Sequence, residues 1–180
     1  ASFSRFDSKV LREPKRGKGY AIRRGLNSLP KNTDAVFMVD GDNTYDVARL
    51  EEAYNLVSNR GYDLVVGVRQ TEEISVLASK EFRFGHSLGN KFLTTISNMT
   101  TNLNLTDMET CYKVFRADVL QEILPTLKQD RFGFEPEITA KVARLGVRVF
   151  EVPISYTGRT YAEGKKIGWK DGIKALGVIF

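Results

Sequence analysis

Residues Ala35-Val-Phe-Met-Val-Asp-Gly-Asp42 constrain this chain more than any other stretch. Five apolar residues run straight into two carboxylates separated by one glycine. Such a run predicts a buried strand, with Asp-Gly-Asp where the chain leaves the sheet. In open α/β sheets ligands bind outside the carboxyl ends of the strands. Two carboxylates there suit a hard divalent cation holding a phosphate. The alternative is an ordinary Asp-Gly turn after a strand.

The flanking sequence predicts a strand-helix-strand unit. Val47 to Ser58 has a helical pattern with Val47, Leu50, Tyr54 and Val57 on one face, Asp46 near its start and Gly61 as its stop. Asp63 to Arg69 is a second apolar strand with a cation at its exit. A right-handed parallel connection would place Asp40, Asp42 and Arg69 on one sheet edge. Upstream, Glu13-Pro-Lys-Arg-Gly-Lys-Gly19 is a basic, glycine-punctuated loop before the helical stretch from Tyr20. Lys18 and Gly19 there could present an ammonium and backbone N–H groups to an anion, or form a solvated loop. The spacing is not that of a Walker A loop. Lys9 to Arg12 is a candidate short strand.

Further on, residues 70–85 lack pattern and predict a loop carrying Lys80 and Arg83. Phe84 to Met99 predicts a helix with Leu88, Phe92 and Ile96 at four-residue spacing. Two acids, Asp107 and Glu109, precede an apolar segment. A helix over Ala117–Lys128 is interrupted by Pro125, and another opens at Arg131-Phe-Gly-Phe-Glu-Pro-Glu137 and stops at Gly146. Val147–Ile154 predicts a strand at an edge, because Pro153 cannot donate to a ladder. Residues 155–180 form a basic loop and an amphipathic helix with Trp169, Ile173, Leu176 and Ile179.

At 180 residues the chain predicts a single domain spanning 1–180. Its net charge of +5 suits an anionic ligand or surface. One cysteine, Cys111, excludes an intrachain disulfide and fits a reducing compartment; it is expected to be core. The one histidine, His86, builds no zinc site without clustered cysteines. No apolar run reaches the length of a bilayer span. Phe134 and Tyr161 are candidates to line a ligand groove.

Four segments in order carry a resemblance: Asp40-Gly-Asp42, Asp107-Met-Glu-Thr-Cys-Tyr-Lys-Val-Phe-Arg116, Phe134-Glu-Pro-Glu-Ile-Thr139, and Gly158-Arg-Thr-Tyr-Ala-Glu-Gly-Lys-Lys-Ile167. Together they resemble family 2 glycosyltransferases, most nearly the branch that loads sugars onto dolichyl or polyprenyl phosphate. The resemblance implies an α/β fold of the GT-A type, a three-layer sandwich around a mostly parallel sheet. It also implies that the fold is incomplete at the N-terminus, because the family's Pro-x-Tyr-Asn-Glu and Asp-Asp-Gly-Ser strands are absent.

By the same resemblance Asp40 and Asp42 hold Mg²⁺ or Mn²⁺, and Asp107, with Glu109 beside it, is the acid near the acceptor. Arg69, Arg83 and Arg159 hold donor and acceptor phosphates, while Lys165 and Lys166 add positive potential. The implied partners are a nucleotide-sugar and a polyprenyl or dolichyl phosphate, not nucleic acid. The implied location is cytoplasmic, touching a membrane face peripherally. Two other readings stay open. Asp40-Gly-Asp42-Asn-Thr44 also fits the first motif of haloacid-dehalogenase-like phosphatases, with Asp40 as nucleophile, although no later acidic pair matches. A non-catalytic fragment or interaction module is the other, in which a bared sheet edge would favour a homodimer.

Overall fold

The computed structural model describes residues 9–70, 80–131, 133–157 and 177–178; the side chains of residues 70 and 80–88 lie outside that description. Helix α1 (Lys18–Leu26) leads into β1 (Ala35–Met38), then α2 (Leu50–Arg60) and β2 (Leu64–Gln70). The long α3 (Lys80–Thr101) is followed by β3 (Lys113–Arg116), α4 (Ala117–Ile123), a 3₁₀ turn at Leu124–Thr126, α5 (Phe134–Arg144) and β4 (Val149–Ser155).

The sheet order is β1-β3-β2-β4. β3 pairs antiparallel with both β1 and β2, and β2 pairs parallel with β4. Three strands therefore run one way, and the reversed β3 is threaded between the two strands of the β1–α2–β2 unit. Alternation along the strands sorts side chains into cross-strand rows. Val36, Phe115 and Leu64 share one row and face one core, packed by α1, α3, α4 and α5. Phe37, Val114 and Val65 share the next row and face the opposite way, under α2. The result is helices, sheet, helix: three layers with a core on each side.

Local chemistry explains the element ends. Gly61 closes α2 with φ of 69°, a left-handed cap that a residue with Cβ adopts only at a cost. Pro125 turns the end of α4 into its 3₁₀ turn. β4 lies at the sheet edge and carries Pro153 there.

Several expectations are corrected. Lys9–Arg12 forms no strand. Lys80 and Arg83 belong to α3 rather than to a loop, and the rest of the expected loop beyond residue 70 lies outside the described residues. On α2 the buried positions are Ala53 and Val57, while Tyr54 is about half exposed at 47%, and Val47, at 53%, lies before the helix rather than on it. On α3, Phe92 is exposed and the inward face is Leu93, Thr94 and Ser97. Phe134 is fully buried in the core and lines no groove. The expected C-terminal helix lies outside the described residues apart from 177–178, as do Tyr161, Arg159, Lys165 and Lys166.

Candidate active site at the carboxyl edge of the sheet

β1, β2 and β4 all run toward one edge, and β3 starts from it. That geometry brings together the loop after Met38, the end of β2 at Arg69, the turn at 107–112 and Tyr156. The Asp-Gly-Asp loop does not simply leave β1. Asp42 Oδ1 accepts from the Thr44 hydroxyl at 2.6 Å and the Thr44 N–H at 3.2 Å, and Asn43 turns the chain with φ of 60°. Asn tolerates that left-handed conformation better than most residues with a side chain. The loop is then stitched to the end of β4: Tyr45 bridges Tyr156, and the Thr157 N–H donates to the Thr44 carbonyl at 2.9 Å. It thus crosses the sheet edge from β1 to β4.

Arg69 and Asp107 face each other across this edge. The guanidinium donates through Nε and Nη2 to the two Asp107 oxygens at 2.6 and 2.7 Å, and Asn90 Nδ2 donates to Oδ1 at 2.9 Å. Tyr156 lies under the guanidinium, 5.2 Å from ring centroid to charge. Burial alone would raise the Asp107 pKa, but the bonds and charge of Arg69, with Asn90, hold it below the usual carboxylate range. Asp107 is ionised and bonded on both oxygens.

Glu109 is its opposite. Both carboxyl oxygens are buried without a hydrogen-bond partner. Burial, reinforced by the charge of Glu135, pushes its pKa up to about 8. Two residues apart, one acid is a fixed anion and the other is neutral at pH 7. Cys111 is buried with its thiol pushed up to about 12 by burial, so it is a neutral core group. Its backbone N–H donates to the Tyr45 hydroxyl at 3.1 Å.

The sequence reading missed a run of charges beneath these groups. Lys18 Nζ lies 3.1 Å from Asp40 and 2.8 Å from Glu135. Glu135 Oε2 accepts from Lys113 Nζ at 2.7 Å. Lys113 also donates to the carbonyls of Met108, at 3.1 Å, and Thr110. It has no exposed surface. The signal was present: Lys113 is in phase with Phe115, so it had to point into the same core, where a buried ammonium needs an anion. Glu135 stood in a quoted motif without a role.

Asp40 is 38% exposed at its side chain and already attracts one cation, the Lys18 ammonium. Its carboxylate and that of Asp42 are hard oxygen donors flanking a glycine, which fits Mg²⁺ or Mn²⁺ completed by phosphate and water. Among the described residues no group of three or more His, Cys, Asp or Glu could enclose a metal unaided. Arg83 sits on the first turns of α3 with its side chain outside the description.

A sequence profile describing glycosyl transferase family 2 matches residues 2–124. The chain belongs to glycosyl transferase family 2. Among relatives, the undecaprenyl-phosphate mannosyltransferase of Micrococcus luteus is 30% identical over 87% of this chain and 63% of its own length. The dolichyl-phosphate beta-glucosyltransferase of Dictyostelium discoideum is 26% identical over 79% of this chain and 43% of its own. The chain thus spans less than two thirds of the length of these relatives. Among solved structures, glucosyl-3-phosphoglycerate synthase of Mycobacterium tuberculosis with Mn²⁺ and UDP-glucose superposes with a TM-score of 0.57 at 15% identity, covering 93% of this chain and 55% of that one. At that identity the likeness establishes the fold, GT-A. Family 2 membership and this fold do not favour the phosphatase reading of Asp40.

Proposed function

We propose that this family 2 chain carries the metal and phosphate side of a site that transfers a hexose from a nucleotide-diphosphate sugar to a polyprenyl phosphate, with inversion. The observation that supports this most is the meeting, at one sheet edge, of a partly exposed carboxylate loop, an aromatic-backed arginine and a neutral buried acid. The polyprenyl-phosphate acceptor is suggested by the names of the relatives.

Asp40 and Asp42 would hold Mg²⁺ or Mn²⁺, which when bound neutralises charge on the departing diphosphate as a Lewis acid. An acceptor phosphate oxygen attacks the anomeric carbon as the bond to the nucleoside diphosphate breaks. Such an acceptor is already anionic at neutral pH, with a second pKa of roughly 6, so no base has to remove a proton. That matches Asp107, whose two oxygens are taken by Arg69 and Asn90. Asp107 orients the Arg69 guanidinium, and Arg69, with Arg83 and Arg159, screens the repulsion between donor and acceptor phosphates. Glu109, kept neutral, adds no further negative charge where two anions must approach. Lys165 and Lys166 raise the positive potential, and contact with a membrane face is peripheral. Among the described residues no helix is long and apolar enough to cross a membrane.

The test is transfer of labelled sugar from UDP-glucose or GDP-mannose, with Mn²⁺, to a detergent-dispersed polyprenyl phosphate. Chelator-sensitive label in the organic phase, lost in Asp40→Asn, is expected. A folded chain that gives none with either donor points to a non-catalytic module.

A further inference from the structure

The first turn of α5 is Phe134-Glu-Pro-Glu137; Glu135 meets Lys18 directly, and Glu137 acts on the Gly17-Lys18-Gly19 segment through the loop at 128–130. Glu137 accepts the backbone N–H groups of Lys128 and Gln129 at 2.8 and 2.7 Å, fixing the loop against which the glycines pack. The Gly19 N–H donates to the Asp130 carbonyl at 2.9 Å, and a Cβ on Gly19 would overlap the Gln129 carbonyl oxygen. Helix α1 can seat there only with glycine at that position. Its first residue, Lys18, is then delivered to Glu135. Glu135 is buried, and its second oxygen holds Lys113, which holds the carbonyls on either side of Glu109.

We propose that Glu135 is a positioning residue that shares Lys18 with Asp40, drawing the ammonium back so that a divalent cation can take the Asp40 carboxylate, and that ties this metal loop through Lys113 to the turn bearing Glu109. This rests on the reading of Asp40 as a metal ligand. With Glu135 neutralised, Asp40 is the one anion left to Lys18 among the described residues, and the ammonium competes there with the incoming ion. Without Lys18 that competition vanishes, whatever stands at 135. The relation between 18 and 135 is therefore non-additive, which simple loss of packing would not produce.

Mn²⁺ binding to the whole chain, followed by loss of the free-ion electron paramagnetic resonance signal, reads this without turnover. Glu135→Gln should bind Mn²⁺ about fivefold more weakly, the size of one partly exposed ion pair set free to compete. Adding Lys18→Met to Glu135→Gln should restore wild-type affinity or better. If Glu135→Gln strands Lys113 and fails to fold, Glu135→Gln/Lys113→Met removes both buried charges and carries the same comparison. Unchanged affinity in a folded Glu135 variant, or no recovery on adding Lys18→Met, overturns the proposal. Equal binding by wild type and Asp40→Asn, or no binding by either, overturns the metal reading beneath it and this inference with it.

Discussion

Glu109 sets a pH dependence that its neighbours do not. Its folded pKa is raised from the ordinary 4.5 to about 8, so between those values the folded chain holds a proton that the unfolded chain has released. Stability therefore falls as pH rises through that window. Glu109→Gln should remove the fall, raising the melting temperature at pH 8 by about 3 °C or more relative to wild type while changing it little at pH 4.5. A parallel decline in both proteins would contradict the buried neutral acid. Asp107 has the opposite sign: its pKa is depressed, so its contribution is present above the unfolded value and is lost as pH falls through the folded one. Asp107→Asn should cost about 3 kcal/mol in chemical denaturation at pH 7 by leaving Arg69 half-buried without its anion. A loss no larger than that of an exposed pair would show that the bidentate contact does not persist in solution. Asp40, Asp42 and Arg69 could be placed from the sequence because each sits at the end of an apolar strand. Lys113 and Glu135 could not be paired that way. They meet across 22 residues only through the register of β3 and the docking of α5.

At the scale of elements, periodicity worked where the buried face is apolar and failed where it is not. The inward side of α3 is partly polar because it holds the turn before Asp107 and Glu109. Thr94 Oγ accepts the Met108 N–H at 3.2 Å, and Asn98 bonds both the N–H and the carbonyl of Leu105, at 3.0 and 2.8 Å. A search for apolar residues every fourth position therefore selected Phe92, which is exposed. Asn98→Ala should lose about 2 kcal/mol for its two bonds, and amide exchange should quicken first at residues 105–109. Exchange that quickens evenly along α3 would argue against a role in that turn. At the other end of the site, Gly19→Ala should destabilise by about 3 kcal/mol, since the clash is with backbone that cannot swing aside. The same change at Gly25, whose Cβ would meet nothing within 4 Å, should be neutral or slightly stabilising. Equal effects at the two positions would refute the close seating of α1.

For the whole molecule, the class of fold and the gathering of Asp40, Asp42 and Arg69 at one sheet edge were legible because apolar strands alternate with helical patterns. The thread of β3 between β1 and β2 was not. The short stretch from Lys113 to Arg116 has two charged ends, and its strand character comes from pairing on both sides rather than from composition. That reversed strand delivers Asp107 and Glu109 to the same edge as the Asp-Gly-Asp loop, so the arrangement of the site depends on it. On the proposed function this edge would bind a metal diphosphate through Asp40 and Asp42. Calorimetric titration of the chain with UDP and with GDP, each with and without Mn²⁺, tests it most directly. Binding of at least one nucleotide that requires Mn²⁺ and disappears in Asp40→Asn/Asp42→Asn with the fold intact is expected. Binding that is indifferent to Mn²⁺ or to those two carboxylates would contradict it.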